Sequence, residues 1–264
     1  SLPALFELGR RTFRDFIRFV SIPESGKGMV PMQEWPHILQ AIEVLSTDQL
    51  IVWAKCRQIG ITTILAAYAV WHAMFTPRAL VVIFSRNQQQ SYAFLQKARD
   101  IYLSLPDELK IGLTVPDNRE QMTFVNGSEI QAFPSTVDAA RGLTPTLVVM
   151  DEADYHEYIE AGYAAVRPGI SNNHGQMVIT SPVSAYKMSS FFQRLYQDSP
   201  GNGFKRLFFG WRVHPDRSDT WYEEERRTYQ DLALFQKEFP ATEEEAFAPA
   251  KAIAAFDLEV LAQM

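Results

Sequence analysis

"AKCRQIGITT" (residues 54–63) has the outline of a phosphate-binding loop whose usual lysine is missing. In the pattern G-x-x-x-x-G-K-[ST], backbone N–H groups cradle phosphates, the lysine reaches the β- and γ-phosphates, and the hydroxyl holds magnesium. Aligned on Gly60, Thr62 takes the hydroxyl position, Ile61 stands where the lysine belongs, and Lys55 stands where the first glycine belongs. The ten residues alone leave two readings open. One is an ordinary strand-to-helix turn; the other is a nucleotide site that draws its positive charge from its beginning.

The surroundings bear on that choice. The loop follows the apolar run "QLIVWA" (49–54) and precedes the helical pattern "TTILAAYAVWHAMF". Four further apolar runs rich in β-branched residues follow: "ALVVIFS" (79–85), "TLVVMDE" (146–152), "QMVITSP" (176–182) and "FKRLFFGW" (204–211). Helical patterns such as "QQQSYAFLQKARDIYLSL" lie between them. Strands without polar alternation are buried on both faces, so the pattern predicts an α/β fold with a mainly parallel sheet and helices on each side. Ligands of such sheets bind at the carboxyl ends of the strands, where residues 54–63 stand. One insertion, "QMTFVNGSEIQAF", reads as a hairpin about Asn126-Gly127.

Outside the alternation, "LPALFELGRRTFRDFIRFV" spaces its apolar residues as one amphipathic helix packed on the main body. "SIPESGKGMVP" reads as a loop and "EWPHILQAIEVL" as a short helix. From "TWYEEERRTYQ" onward the chain is helical and charged, then alanine-rich, with "WYEEERRTYQ" expected as a solvated helix of paired charges. The pattern divides the chain into an N-terminal helix and loop (1–30), a core (31–212) and a helical subdomain or linker (213–264).

A second motif adds weight to the nucleotide reading. "LVVMDEAD" (147–154) is an apolar strand ending in two acids, the Walker B arrangement. There Asp151 can hold magnesium through water, and Glu152 can orient and deprotonate an attacking water. Asp154 is a candidate cap for the next helix. Thr180 and Ser181 end the strand "MVITSP", where hydroxyls either sense the γ-phosphate or satisfy a turn before Pro182. Arg57 binds phosphate or faces a surface acid. Arg141, in "STVDAARGLTP", binds charge on a neighbouring molecule or is a solvated loop arginine. The five histidines are scattered without metal-ligand spacing and read as structural or surface residues.

Composition narrows the setting. A chain of 264 residues with 47% hydrophobic residues can fill a large core. No apolar run approaches the ~20 residues of a membrane span, and the opening residues do not have the layout of a secretory signal. A single cysteine, Cys56, excludes a disulfide within the chain and a cysteine-based zinc site, so a reducing, cytoplasmic compartment is expected. The formal charge of −6 speaks against a surface given over wholly to nucleic acid but permits local phosphate contacts. No long apolar stripe is left without a core role, and the isolated chain is expected to be a monomer.

"KCRQIGITTILAAYAVW", "FPSTVDAARGLTPTLVVMDEAD", "GQMVITSPVS" and "KEFPATEEEAFAPAKAIAAFD" together resemble the large terminase subunit of tailed bacteriophages, over nearly the whole chain. The resemblance implies a P-loop ATPase with a RecA-like, additional-strand sheet, using ATP and Mg2+ to drive double-stranded DNA into a procapsid. Its partners would be the portal protein, a small terminase subunit and further copies in a ring, in the host cytoplasm. Some members carry the loop's lysine at its beginning, which matches Lys55. The resemblance further implies a loop formed by Lys55, Cys56, Arg57, Gln58, Ile59, Gly60, Ile61, Thr62 and Thr63, with Lys55 and Arg57 on phosphates and magnesium on Thr62 and Asp151. Glu152 would be the base, Thr180-Ser181 the coupling motif, Arg141 a finger entering the neighbouring subunit's site, and Gln33 the adenine contact. Full-length members continue into a nuclease domain. Because the sequence stops at Met264, it is expected to be the motor part without nuclease activity. Two rivals stand beside this: a superfamily 2 helicase-like ATPase, suggested by "DEAD", and a nucleotide-independent docking module with a degenerate loop.

Overall fold

Thr12 divides the opening stretch into two helices, α1 (Leu2–Arg11) and α2 (Phe13–Ile17), in place of the single helix expected. Its backbone is extended and its hydroxyl accepts from Asp15 N at 3.0 Å, an N-cap that starts a new helix. The break turns Phe13, Phe16 and Ile17 into the core, where Phe13 meets Tyr68 edge-on at 4.9 Å. The computed structural model describes residues 2–136 and 140–249.

"SIPESGKGMVP", expected as a loop, is a hairpin of β1 (Ser21–Glu24) and β2 (Gly28–Pro31). Gly26 and Gly28, at φ 78° and 79°, supply the left-handed backbone its turn needs. Its prolines are tolerated because a two-stranded ribbon has unpaired edges. Pro36 then occupies the first turn of α3 (Pro36–Thr47), where a missing N–H costs nothing.

The apolar runs become strands in the expected places. They are β3 (Leu50–Lys55), β4 (Leu80–Ser85), β8 (Leu147–Asp151), β9 (Gln176–Ser181) and β10 (Lys205–Phe209). The insertion adds β5 (Leu113–Thr114), β6 (Gln121–Phe124) and β7 (Glu129–Pro134). All eight form one sheet in the order β10-β3-β9-β8-β4-β7-β6-β5. Pairing is parallel from β10 through β7, and β6 and β5 extend the edge antiparallel. The hairpin at Asn126-Gly127 thus widens the sheet. Asn126 Nδ2 donates to the carbonyls of Ala73 and Met74 at 2.9 and 3.1 Å, closing the end of α4 (Ile61–Phe75). Strand β9 separates the loop strand β3 from the acidic strand β8, which is the additional-strand arrangement.

Helices cover both faces, so each strand sorts its side chains by alternation. Ile51 and Trp53 of β3 pack with α3, α4 and α5 (Gln88–Ser104). Val52 and Ala54 pack with α6 (Ile159–Asn172) and α7 (Phe191–Gln197). After β10 come α8 (Asp219–Thr228), α9 (Leu232–Glu238) and α10 (Glu243–Phe247). Helix α8 keeps the expected Arg226–Glu223 pair on its outer face, but Tyr222 stacks on the buried Trp211 at 4.5 Å, so it is not wholly solvated. Phe235 and Phe239 of α9's segment complete this aromatic layer. Among the described residues no helix is long and apolar enough to cross a membrane. The alanine-rich end of the sequence lies largely outside the described residues.

Candidate active site

Period-two alternation brings the polar strand ends together. Lys55 continues the face of Ile51 and Trp53, Asp151 that of Leu147 and Val149, and Thr180 that of Val178, all toward α4. Thr180 pairs in register with both Trp53 and Asp151, so it sits between the loop strand and the acidic strand. Ser181, one residue on, faces the opposite layer.

The loop at 55–62 is held from behind. Cys56 N donates to Phe209 O at 2.8 Å and Arg57 N to Glu238 O at 3.1 Å. Gln58 and Gly60 adopt φ 58° and 82°, and Gly60 leads into α4. Ile59 O accepts from His37 Nε2 at 2.7 Å, a carbonyl partner that assigns the ring proton to Nε2. Burial lowers the pKa of His37 and keeps it neutral. Arg217 Nη2 donates to Arg57 O at 3.0 Å and Gln58 O at 3.3 Å. By contrast, none of the N–H groups of residues 58–62 donates to any acceptor among the described residues. Consecutive unpartnered N–H groups at a helix start make an anion cradle.

Side chains follow two fates here. Cys56, Ile59 and Ile61 are buried in the core, so the position that usually carries lysine is apolar packing. Burial pushes the Cys56 thiol up to about 11, against the lowering effect of Arg217 and Lys55, so it stays protonated. Lys55 is only 6% exposed, and among the described residues nothing accepts a hydrogen bond from its ammonium. Arg57 forms an ion pair with Glu238 and lies 6.0 Å from the Tyr155 ring, so its resting contact is an acid, though a buried one and not the surface acid expected. Burial raises the Glu238 carboxyl, and Arg57 opposes that shift.

Thr62 Oγ1 donates to Asp151 Oδ2 at 2.8 Å, bringing loop and acid strand into contact. Asp151 Oδ1 accepts from Glu152 N at 3.0 Å, and Glu152 has left-handed backbone (φ 55°) uncommon for a non-glycine residue. Asp151 O accepts from His156 Nε2 at 2.7 Å, and burial lowers that histidine to about 4. Among the described residues no group of three His, Cys, Asp or Glu side chains could hold a metal alone. The Thr62 hydroxyl and Asp151 carboxylate are adjacent oxygen donors of the kind a hard cation takes together with phosphate and water.

Asp154 does not cap the next helix. It lies in the 3-10 turn Ala153–Tyr155, 1% exposed, and accepts from Ser184 N at 2.7 Å, Gln193 Nε2 at 3.0 Å and Ser190 Oγ. Its own N–H donates to Ser181 Oγ at 3.0 Å. Thr180 Oγ1 is buried with no protein partner among the described residues.

Two clefts flank the loop. A cleft of about 150 Å³ is lined by Thr62, Ser85, Gln90, Lys97, Asp151 and Glu152. On the other side, about 480 Å³ lies between the β1–β2 hairpin and the loop, lined by Gln33, Trp35, Met32, Gln58, Thr63 and His214 among others. Gln33 Nε2 donates to Pro31 O at 3.1 Å. Arg141 is exposed on the turn at 140–143, on the chain leading into β8. Sequence reasoning missed Arg217, His37, Trp35 and Glu238, whose roles depend on contacts remote in sequence; "DEAD" did contain Asp154, but not its partners.

The fold is similar to solved structures. The ATPase domain of the large terminase of Thermus phage P74-26 is 19% identical at a TM-score of 0.64, over 86% of this chain and 99% of that one. The large terminase of bacteriophage HK97 is 15% identical at 0.62, over 97% of this chain and 52% of that one. The large terminase of a thermophilic bacteriophage, in a structure with ADP, is 15% identical at 0.59, over 75% of this chain and 49% of that one. The chain thus spans about half the length of these last two proteins. The family model described as terminase large subunit, T4likevirus-type, N-terminal, matches residues 53–233. With that match spanning the loop, the acidic strand β8 and strand β9, the chain belongs to the terminase large subunit family, of which it carries the N-terminal, ATPase-like part.

Proposed function

We propose that this chain hydrolyses ATP with magnesium as the motor part of a terminase, moving double-stranded DNA into a procapsid. The observation that carries the reading is the run of unpartnered N–H groups at 58–62 beside the hydrogen-bonded Thr62–Asp151 pair. The thermophilic phage's large terminase, with structures in complex with ADP and ATP-γ-S, supports nucleotide binding by this fold. The triphosphate lies along the loop, with the base in the cleft beside Gln33 and Trp35. Lys55, 6% exposed and without a hydrogen-bonded partner among the described residues, supplies charge that the phosphates neutralise. Arg57 joins it when it exchanges Glu238 for phosphate.

Thr62 and Asp151 hold magnesium, which when bound neutralises charge developing on the transferred phosphoryl group. Glu152 positions a water in line with the γ-phosphate and accepts its proton. Thr180 faces the phosphates from between β3 and β8, while Ser181 reaches Asp154 on the other layer. Loss of phosphate at Thr180 is thereby passed to the segment 182–193. Arg141 acts on a neighbouring copy in a ring seated on the portal, with a small terminase subunit as a further partner, in the host cytoplasm. Of the expected subdomain or linker at 213–264, the described part, 213–249, forms a helical subdomain beside the core.

Calorimetric titration with Mg-ATP is the test. The wild type and Glu152→Gln should both bind, and the variant should lose ~10²–10⁴-fold in turnover because only the base is removed. Wild-type turnover per molecule should rise with protein concentration, and Arg141→Ala should abolish that rise. Absence of Mg-ATP binding by the wild type would overturn the proposal, and full turnover in Glu152→Gln would remove the base from Glu152.

A further inference from the structure

We infer that Arg217 is a positioning residue that aims the phosphate loop's N–H groups, a role that rests on the nucleotide reading above. In a trans peptide the carbonyl of one residue and the N–H of the next point in opposite directions. Arg217 holds the carbonyls of Arg57 and Gln58 from the side of the α8–α9 layer, at 3.0 and 3.3 Å. The N–H groups of Gln58 and Ile59 are therefore turned away from that layer. His37, holding Ile59 O at 2.7 Å, likewise turns the N–H of Gly60 away from its own ring. The unpartnered N–H groups are a consequence of where the carbonyls are tied down.

This loop needs such a tie. Lys55 replaces the first glycine of the usual pattern, and Gln58 carries a left-handed backbone that a side chain disfavours. A planar guanidinium suits the task because its donors fork to adjacent acceptors, whereas an ammonium is a point charge. A further donor of Arg217, Nη1, reaches Cys56 Sγ at 3.4 Å.

Arg217 is itself fixed by the C-terminal layer. Its guanidinium lies 4.7 Å over the Trp221 ring and 5.3 Å from that of Phe239. Its N–H donates to His214 O at 3.1 Å, closing a turn that has Pro215 in second position. His214 and Asp216 of the same turn wall the base cleft. One turn after β10 thus shapes both the base cleft and the phosphate cradle, which ties the cradle to the layer formed by α8 and α9.

The test compares ATP and adenosine binding by the wild type, Arg217→Met and Arg217→Lys, with melting temperatures recorded for each. Methionine keeps an apolar stem on Trp221 and removes the donors. It should weaken ATP by roughly ten- to a hundredfold, the loss expected when well-aimed bonds to a charged ligand are disordered, and leave adenosine within about twofold. Lysine should restore ATP affinity only in part. An unchanged ratio of ATP to adenosine affinity in Arg217→Met would overturn the inference and leave the nucleotide site standing. Equal loss of both ligands with a lowered melting temperature would also overturn it, because that marks a merely structural residue. A wild type that binds ATP no better than adenosine would instead sink the nucleotide reading, and this inference with it.

Discussion

Replacing Lys55 by methionine should produce a protein that is more stable without nucleotide and a poorer binder of Mg-ATP. Lys55 is 6% exposed at the end of β3, and among the described residues no acceptor takes a hydrogen bond from it. Glu238 feels its charge through space but pairs with Arg57. Removing a charge on a mostly enclosed side chain and keeping the volume recovers at most about 1 kcal/mol, because the ammonium nitrogen keeps some contact with solvent and Glu238 offsets part of the desolvation cost. For a chain of this size that raises the melting temperature by at most about 4 °C. In the liganded protein the sign reverses. A charge-assisted bond to phosphate contributes about 1.5–3 kcal/mol, so Kd should rise by about ten- to 150-fold. The ligand-induced rise in melting temperature should shrink accordingly, since it depends on the ratio of ATP concentration to Kd. Differential scanning calorimetry with and without Mg-ATP reads both effects. A lower melting temperature with unchanged ATP affinity would refute the argument, because Lys55 would then be part of the scaffold.

Two further outcomes test the surroundings. Asp154→Ala strips the acceptor from Ser184 N, Ser190 Oγ and Gln193 Nε2 inside the fold, so urea denaturation should show a loss of about 3–5 kcal/mol; a loss below about 1 kcal/mol would mean the network contributes little. Burial lowers His72 to about 4, and its Nε2 donates to Thr146 Oγ1 at 3.0 Å. The folded state therefore binds fewer protons than the unfolded chain, and stability contributed by neutral His72 is present above about pH 6.5 and lost as pH falls toward 4. Between pH 7 and 4.5 the fall should be about 2–3 kcal/mol larger in the wild type than in His72→Gln, and equal falls would place the titration elsewhere.

Much of the sheet was legible because its strands are buried on both faces. "LIVWA", "LVVIF" and "LVVM" leave no polar alternation to confuse with an exposed strand, and each becomes a strand within a residue or two of expectation. The hairpin at Asn126-Gly127 was legible because that dipeptide tolerates a tight turn. Lys55, Thr62, Asp151 and Glu152 were legible because each lies at the end of a strand or the start of a helix, where local sequence determines placement. Thr12 was not: a threonine between helical residues reads alike as interior or cap until the core takes Phe13 and Phe16. The hairpin at 21–31 was hidden by its own glycines and prolines.

Sequence by itself determined which segments are strands, which faces of the chain are apolar, and which residues carry charge at the carboxyl edge. Only the tertiary structure decided that β9 lies between β3 and β8, that Arg57 rests on Glu238, and that Arg217 holds the loop from 160 residues away. Alternation and capping are local and act within a few residues. Strand order, ion pairs and the clamp on the loop arise from which faces meet when the core closes, and no short stretch of sequence records that meeting.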